Sequence, residues 1–83
     1  MHTKKCLICL KDAVVERGSY ASEIYTCPNC GKYLCSYVFM AGEKNLNNIK
    51  GNMEFSETLR KQYDSNAKQE PVNLTNVYNQ YFK

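Results

Sequence analysis

The fold of this chain is decided by the stretch CPNCG at residues 27–31, which repeats the cysteine spacing of CLIC at residues 6–9. The 17 residues between the two pairs, 10–26, fall within the C-x2-C-x15–20-C-x2-C spacing that is typical of zinc sites. In such a site each pair supplies two corners of a tetrahedron around one ion, and the intervening segment returns as a hairpin. We therefore predict that four cysteines bind one structural Zn2+: Cys6, Cys9, Cys27 and Cys30.

Iron is the alternative metal, because the same four thiolates accept either ion. Rubredoxins hold an electron-transferring iron on two CxxC turns, with Gly usually following each second cysteine and a longer link between the turns. Here Gly31 fits that pattern, but Leu10 occupies the corresponding position after the first pair. A catalytic zinc is disfavoured, because catalytic sites keep one coordination position open and usually include His or a carboxylate.

The length and the cysteine count indicate a small protein of a reducing compartment. A chain of 83 residues forms one small domain or two very small lobes, and it usually needs a staple. The five cysteines are an odd number, and residues 1–5 lead into the first pair without a secretory leader. We expect a cytoplasmic location, where thiolates bind metal rather than form disulfides. We expect no membrane segment, because no apolar run approaches the length needed to span a bilayer.

Charge argues against nucleic acid as the first choice of partner. The formal charge of +3 falls to +1 when four thiols lose their protons and one divalent ion binds. The seven tyrosines and three phenylalanines could stack on bases, and basic residues near the metal site could contact phosphates: Lys4, Lys5, Lys11, Arg17 and Lys32. We favour a core of aromatic rings and a surface of solvated lysines, because a nearly neutral domain gains little from counterion release. A small nucleic-acid-binding zinc ribbon is the second hypothesis.

The sequence contains no visible catalytic apparatus. His2 is the sole histidine and lies next to the amino terminus. Cys35 has no histidine nearby in sequence to activate it, so we interpret it as a small apolar residue of a buried strand. Neither a Gly-x-Ser-x-Gly motif nor a phosphate-binding loop is present. We therefore expect that the protein is not an enzyme.

The predicted fold class is a small, metal-stapled α+β domain. It consists of a zinc-ribbon β-hairpin or three-stranded sheet followed by two or three short helices. Residues 1–40 hold all five cysteines and have the pattern of strands and turns, whereas 41–83 hold none and show helical periodicity. We predict a four-cysteine zinc ribbon over 1–40 and a helical extension over 41–83 that packs on it. Within these parts, residues 32–40 alternate as a strand.

Two helix starts are predicted in the second part. Phe55 and Leu59 begin an apolar stripe at steps of four residues, and Ser56 is its candidate N-cap. Thr75 is the candidate N-cap of a short terminal helix. Gly51 is the predicted end of the helix that precedes the stripe.

Residues 6–36 resemble a zinc ribbon and, more narrowly, the amino-terminal four-cysteine ribbon modules of larger bacterial proteins, several of them linked to phage defence. Those modules carry an aromatic-x-Cys-Pro-x-Cys-Gly-x-Tyr pattern after the first CxxC, and here YTCPNCGKY at residues 25–33 matches it. FSETLR at 55–60 and PVNLT at 71–75 are similar to an arginine-bearing helix and a Pro-x-x-Leu-Thr segment of the modules. The chain departs from the family at Leu10, where Gly is usual.

The resemblance implies a non-catalytic module that docks or positions a protein partner. This protein-interaction role is the preferred hypothesis, ahead of nucleic-acid binding and of rubredoxin-like electron transfer. The sequence predicts neither the oligomeric state nor whether the module stands alone or belongs to a larger protein.

Overall fold

The structure is a computed structural model that describes residues 2–18, 21–68 and 70–82. Within these ranges the chain forms five strands and four helices. In chain order they are β1 (His2–Lys5), β2 (Asp12–Arg17), β3 (Ser22–Cys27), β4 (Gly31–Ser36), α1 (Tyr37–Met40), α2 (Glu43–Ile49), α3 (Met53–Asp64), β5 (Val72–Asn73) and α4 (Leu74–Tyr81). The predicted class, a small α+β domain with a sheet, following helices and a cluster of four cysteines, is confirmed.

In the described part of the chain the strands form one sheet in the order β1-β2-β3-β4-β5. The first four are antiparallel neighbours, and β5 adds to β4 in parallel, with Val72 opposite Tyr33. The sheet is thus wider than the predicted ribbon, at both edges. We did not predict β5, because two residues are too few for an alternating pattern. The division into 1–40 and 41–83 stays a prediction, and one strand of the sheet comes from the second range.

Alternation along the strands defines the two faces of the sheet. In β2, Ala13 and Val15 are buried while Val14 is exposed, as expected for a strand with one covered face. The same register buries Tyr25 of β3 and Tyr33 of β4, whose rings stack with centroids 5.2 Å apart. Helices α3 and α4 pack against β4 and bring further apolar side chains to the core: Phe55, Leu59, Leu74 and Val77.

The predicted strand over 32–40 is wrong in its last four residues, which form helix α1. Ser36 caps this helix, because its hydroxyl accepts a hydrogen bond from the Phe39 amide at 3.2 Å. The turn directs Phe39 into the core, where its ring meets Tyr78 edge-on at 5.2 Å, and leaves Val38 83% exposed. A local cap and the burial of one aromatic ring therefore outweigh the β-propensity of the segment.

Both predicted N-caps are also corrected. Helix α3 begins after Asn52, whose side chain accepts from the Phe55 amide at 3.0 Å, so Ser56 lies inside the first turns. Helix α4 begins after Asn73 rather than after Thr75, and the Asn73 side chain accepts from the Thr75 amide. Asn, Ser and Thr are all favourable caps, so the choice is made by which turn lets the apolar stripe reach the sheet. In the described ranges, no helix combines the length and apolar character needed to cross a membrane.

Candidate metal centre

The four predicted ligands meet in one cluster. Their Sγ atoms all lie within 4.8 Å of one another, with Cys6 and Cys30 separated by 3.7 Å and Cys9 and Cys27 by 3.3 Å. Four sulfurs bonded at about 2.3 Å to a tetrahedral zinc would be about 3.8 Å apart. The residues therefore fit a single thiolate-bound metal ion, and the same donors suit iron.

Each cysteine pair lies on a tight turn, which we call a knuckle, and the residue after the knuckle has a positive φ in both cases. Gly31 follows the second knuckle with φ +84°, and Leu10 follows the first with φ 65°. In the first knuckle the Leu10 amide donates to the Cys6 carbonyl at 3.2 Å, and the Cys6 amide donates to the Lys11 carbonyl at 2.7 Å. Leu10 thus adopts the conformation expected of the missing Gly, at a cost of about 1–2 kcal/mol for a residue with a Cβ.

Gly31→Ala is expected to lower the free energy of unfolding by about 2 kcal/mol. The alanine would have to keep a positive φ, which is unfavourable for a residue with a Cβ. That Cβ would also lie 2.8 Å from Cδ2 of Tyr63. Gly51→Ala is the matched control, because Gly51 also has a positive φ, +73°, but among the described residues no atom beyond those of its chain neighbours lies within 4 Å of its added Cβ. Urea unfolding of the metal-loaded variants measures both losses. Equal losses would show that the contact with Tyr63 contributes nothing.

Two buried hydroxyl groups contact the cluster. The Tyr33 hydroxyl lies 3.2 Å from Cys6 Sγ and accepts a hydrogen bond from the Leu7 amide, so its own proton is free to point at the sulfur. The Ser56 hydroxyl lies 2.9 Å from Cys30 Sγ, and a metal-bound thiolate at that position can only accept. Both groups stabilise negative charge on sulfur, as the surroundings of metal ligands commonly do.

Helix α3 holds the second knuckle through side chains spaced along one of its faces. Besides Ser56, the Arg60 guanidinium donates to the Pro28 carbonyl at 3.0 Å and to the Asp64 carboxylate at 3.2 Å. Tyr63, one turn further on, lies against Gly31. The helix therefore contacts the knuckle at its carbonyl, its sulfur and its glycine, which places the second cysteine pair relative to the core.

The thiols influence one another strongly. Hydrogen bonding from the Cys30 thiol, together with the Tyr33 hydroxyl, lowers the pKa of Cys6, whereas sharing a proton with Cys6 raises the pKa of Cys30. Burial raises the pKa of Cys27 to about 11. One sulfur can thus carry a charge on its own, but four thiolates in this interior require a cation.

Ser56→Ala is expected to weaken zinc binding on the order of 10-fold, because loss of a hydrogen bond to a ligand typically costs 10–100-fold in metal affinity. Thr58→Ala is the matched control on the same helix, since the Thr58 hydroxyl contacts the Glu54 carbonyl rather than a cysteine. Competition with a chromophoric chelator gives both affinities. Equal affinities of the two variants would remove Ser56 from the description of the site.

The remaining residues considered for chemistry lie outside the cluster. Cys35 is fully buried on β4, as interpreted from the sequence, and its sulfur contacts the Ser36 carbonyl at 3.8 Å. His2 is exposed on β1, opposite Val15. Ser56 and Tyr33 were missed as contacts of the cluster, since no sequence pattern relates either residue to a cysteine 26 or 27 positions away.

Cys35 is expected to react with N-ethylmaleimide at pH 8 at least 100-fold more slowly in the folded, metal-loaded protein than in urea. Burial raises its pKa to about 12, above about 8.5 in an unfolded chain, so the reactive thiolate is scarce until pH rises through that range. Above about pH 8.5 the unfolded chain releases the thiol proton, whereas the folded state keeps it. The contribution of Cys35 to the free energy of unfolding is therefore lost as pH rises from about 8.5 towards 12. Mass spectrometry of labelled peptides measures the rate, and rapid labelling of Cys35 without unfolding would contradict its burial.

Comparison with known proteins finds no matching family model and no significant similarity to a curated protein or to a solved structure. The fold and the site define a small α+β domain with a zinc-ribbon-like cluster of four cysteines. The narrower resemblance to amino-terminal ribbon modules rests on the motifs in the sequence.

Proposed function

We propose that the protein is a non-catalytic, zinc-stapled module that binds another protein. The observation that carries this proposal is the cluster itself: four cysteine sulfurs lie within 4.8 Å of one another, which is enough to fill the four positions of a tetrahedral metal site, and three of the four cysteines are buried. A site without an open coordination position has no place for a substrate. In this proposal the metal stabilises the fold, and the function depends on the surface of the folded domain.

Zinc is the proposed metal, because the 17-residue link and the closed donor set are typical of structural zinc sites. A rubredoxin-like iron carrier is the alternative. Elemental analysis of the purified protein distinguishes the two, and so does its colour, since ferric thiolate absorbs visible light and zinc does not. One zinc per chain supports the proposal, and stoichiometric iron with visible absorption would replace it by electron transfer.

The absence of catalysis is part of the proposal. Cys35 is the one cysteine outside the cluster, and both its burial and its pKa, raised to about 12, oppose a role as nucleophile. His2 lies on the exposed edge strand, away from the four clustered sulfurs. These placements support a binding role over an enzymatic one.

Two features favour a protein partner over nucleic acid. First, two lysines of the sheet form ion pairs with carboxylates: Lys4 with Glu23 and Lys32 with Glu16. Second, several of the rings that could stack on bases are buried in the core, among them Tyr25, Tyr33 and Phe39. Binding of nucleic acid rather than protein would need unpaired cations to contact phosphates and exposed aromatic rings to stack on bases.

A titration separates these two functions. The zinc-loaded protein is mixed with fluorescent single-stranded DNA, single-stranded RNA and duplex DNA at about 50 and about 200 mM salt, the range over which phosphate-driven affinity falls steeply. Weak or absent binding supports the proposal. Tight binding that weakens steeply with salt, in a protein for which pull-down and size-exclusion experiments yield no protein partner, would overturn it.

A further inference from the structure

A groove of about 300 Å³ lies between the first knuckle and helix α2. Its lining combines three leucines, two lysines, one cysteine and one asparagine: Leu7, Leu10, Leu46, Lys5, Lys50, Cys6 and Asn47. We call this surface, defined by those seven residues, the knuckle groove. Cys6 also belongs to the cluster of four cysteines, so the groove adjoins the candidate metal site, and its other lining residues lie outside that cluster.

Leu10 is the first sign that the groove has a use. The corresponding position of the second knuckle is Gly31, which adopts the same positive φ without a Cβ. Leu10 accepts that strain and still leaves 43% of its surface in water. A glycine would satisfy the turn, so the strained leucine presents at this surface an apolar side chain that the turn itself does not require.

The charges of the lining residues indicate which kind of partner fits the groove. Of the described residues that line the groove none is acidic, and Lys50 has no ion-pair partner among the described residues. Lys5 pairs with Asp12, but both side chains are more than two-thirds exposed, at 71% and 73%, so this pair is weak and can exchange for another carboxylate. The groove therefore combines apolar leucine side chains with two positive charges.

We propose that the knuckle groove binds an acidic protein segment, which inserts one large apolar side chain against Leu10 and Leu46 and places carboxylates at Lys5 and Lys50. The inference rests on the proposed function and names the partner class of the module. Because residues of the first knuckle form the groove, its shape depends on the metal cluster. Binding is therefore lost when a chelator removes the metal.

Selection from a phage-displayed random peptide library on the zinc-loaded protein tests this inference. The enriched peptides are expected to share a Leu, Ile, Phe or Met flanked by Asp or Glu. Fluorescence polarisation then compares their affinity for the wild-type protein and for variants. Leu10→Gly and Lys50→Glu are each expected to weaken binding at least 10-fold, while zinc content stays close to wild type and the melting temperature does not fall by more than a few degrees.

Two controls separate the groove from the rest of the surface. Val38→Ala shortens an apolar side chain that is more exposed than Leu10 but lies on α1, and Lys68→Glu reverses an exposed lysine that does not line the groove. Both are expected to change peptide affinity by less than twofold. Leu10→Gly is suited to the test because its backbone conformation favours glycine.

Each remaining outcome contradicts the proposed binding of an acidic protein segment in the groove. Peptides that bind all four variants equally would show that the protein is a binding module with its site elsewhere, so the proposed function would stand and this inference would fall. Enrichment of basic peptides, or of none, would also overturn it. A dimer that Leu10→Gly dissociates would make a second copy the occupant, and oligonucleotide binding that Lys50→Glu abolishes would overturn both proposals.

Discussion

Cys27→Ser is expected to lose the metal and to unfold at least residues 1–40. Structural zinc contributes on the order of 10–16 kcal/mol to the folding of small peptides near neutral pH, whereas the whole stability of a domain is roughly 5–15 kcal/mol. Cys27 is buried at the end of β3, and its pairing with Gly31 closes the hairpin between β3 and β4. A serine hydroxyl does not ionise as a thiol does, so the remaining three sulfurs hold the ion poorly.

Metal content and the dispersion of amide signals in an NMR spectrum measure this result together. Cys35→Ala is the matched control, because it removes a buried thiol of the same sheet that lies outside the cluster. It is expected to keep one metal ion and a dispersed spectrum, with a loss of about 1 kcal/mol. Near-native dispersion in Cys27→Ser, or in wild-type protein after chelation, would contradict the view that the metal staples the fold.

Phe55→Ala is expected to lower the free energy of unfolding by about 3–5 kcal/mol. Phe55 is fully buried on α3, and its ring meets Tyr81 edge-on at 5.4 Å and lies 6.0 Å from Phe82. The neighbouring Ser56 contacts the metal cluster, so a cavity at Phe55 loosens both the attachment of α4 and the helix face that holds the second knuckle. The loss is a large fraction of the stability of a small domain.

Urea unfolding of the zinc-loaded protein, followed by far-UV circular dichroism and by tyrosine fluorescence, measures this effect. Met53→Ala is the control on the same helix, because Met53 is 54% exposed and its truncation is expected to change stability by less than about 0.5 kcal/mol. Similar small losses for both variants would contradict the placement of Phe55 in the core. If residues 41–83 melt in Phe55→Ala while the ribbon signals stay native, then the predicted parts 1–40 and 41–83 unfold separately.

The sequence predicted the features that depend on short-range geometry and on ligand chemistry. Two CxxC pairs at a suitable distance predict a tetrahedral cluster, because sulfur and a divalent ion admit few arrangements. Steps of four residues predicted that Phe55 and Leu59 share one helix face, and both are buried on α3. These features follow from the period of the backbone and need no knowledge of the partner surface.

The tertiary structure alone decided the features that join residues distant in sequence. Ser56 is a contact of Cys30 rather than a helix cap, Tyr33 reaches Cys6, and β5 joins β4 across almost forty residues. The end of β4 belongs to the same group, because Phe39 turns away from the strand to meet Tyr78. Each depends on which surfaces meet once the chain is packed, and propensities of about 1 kcal/mol or less per residue yield to the burial of a ring or to a completed polar contact.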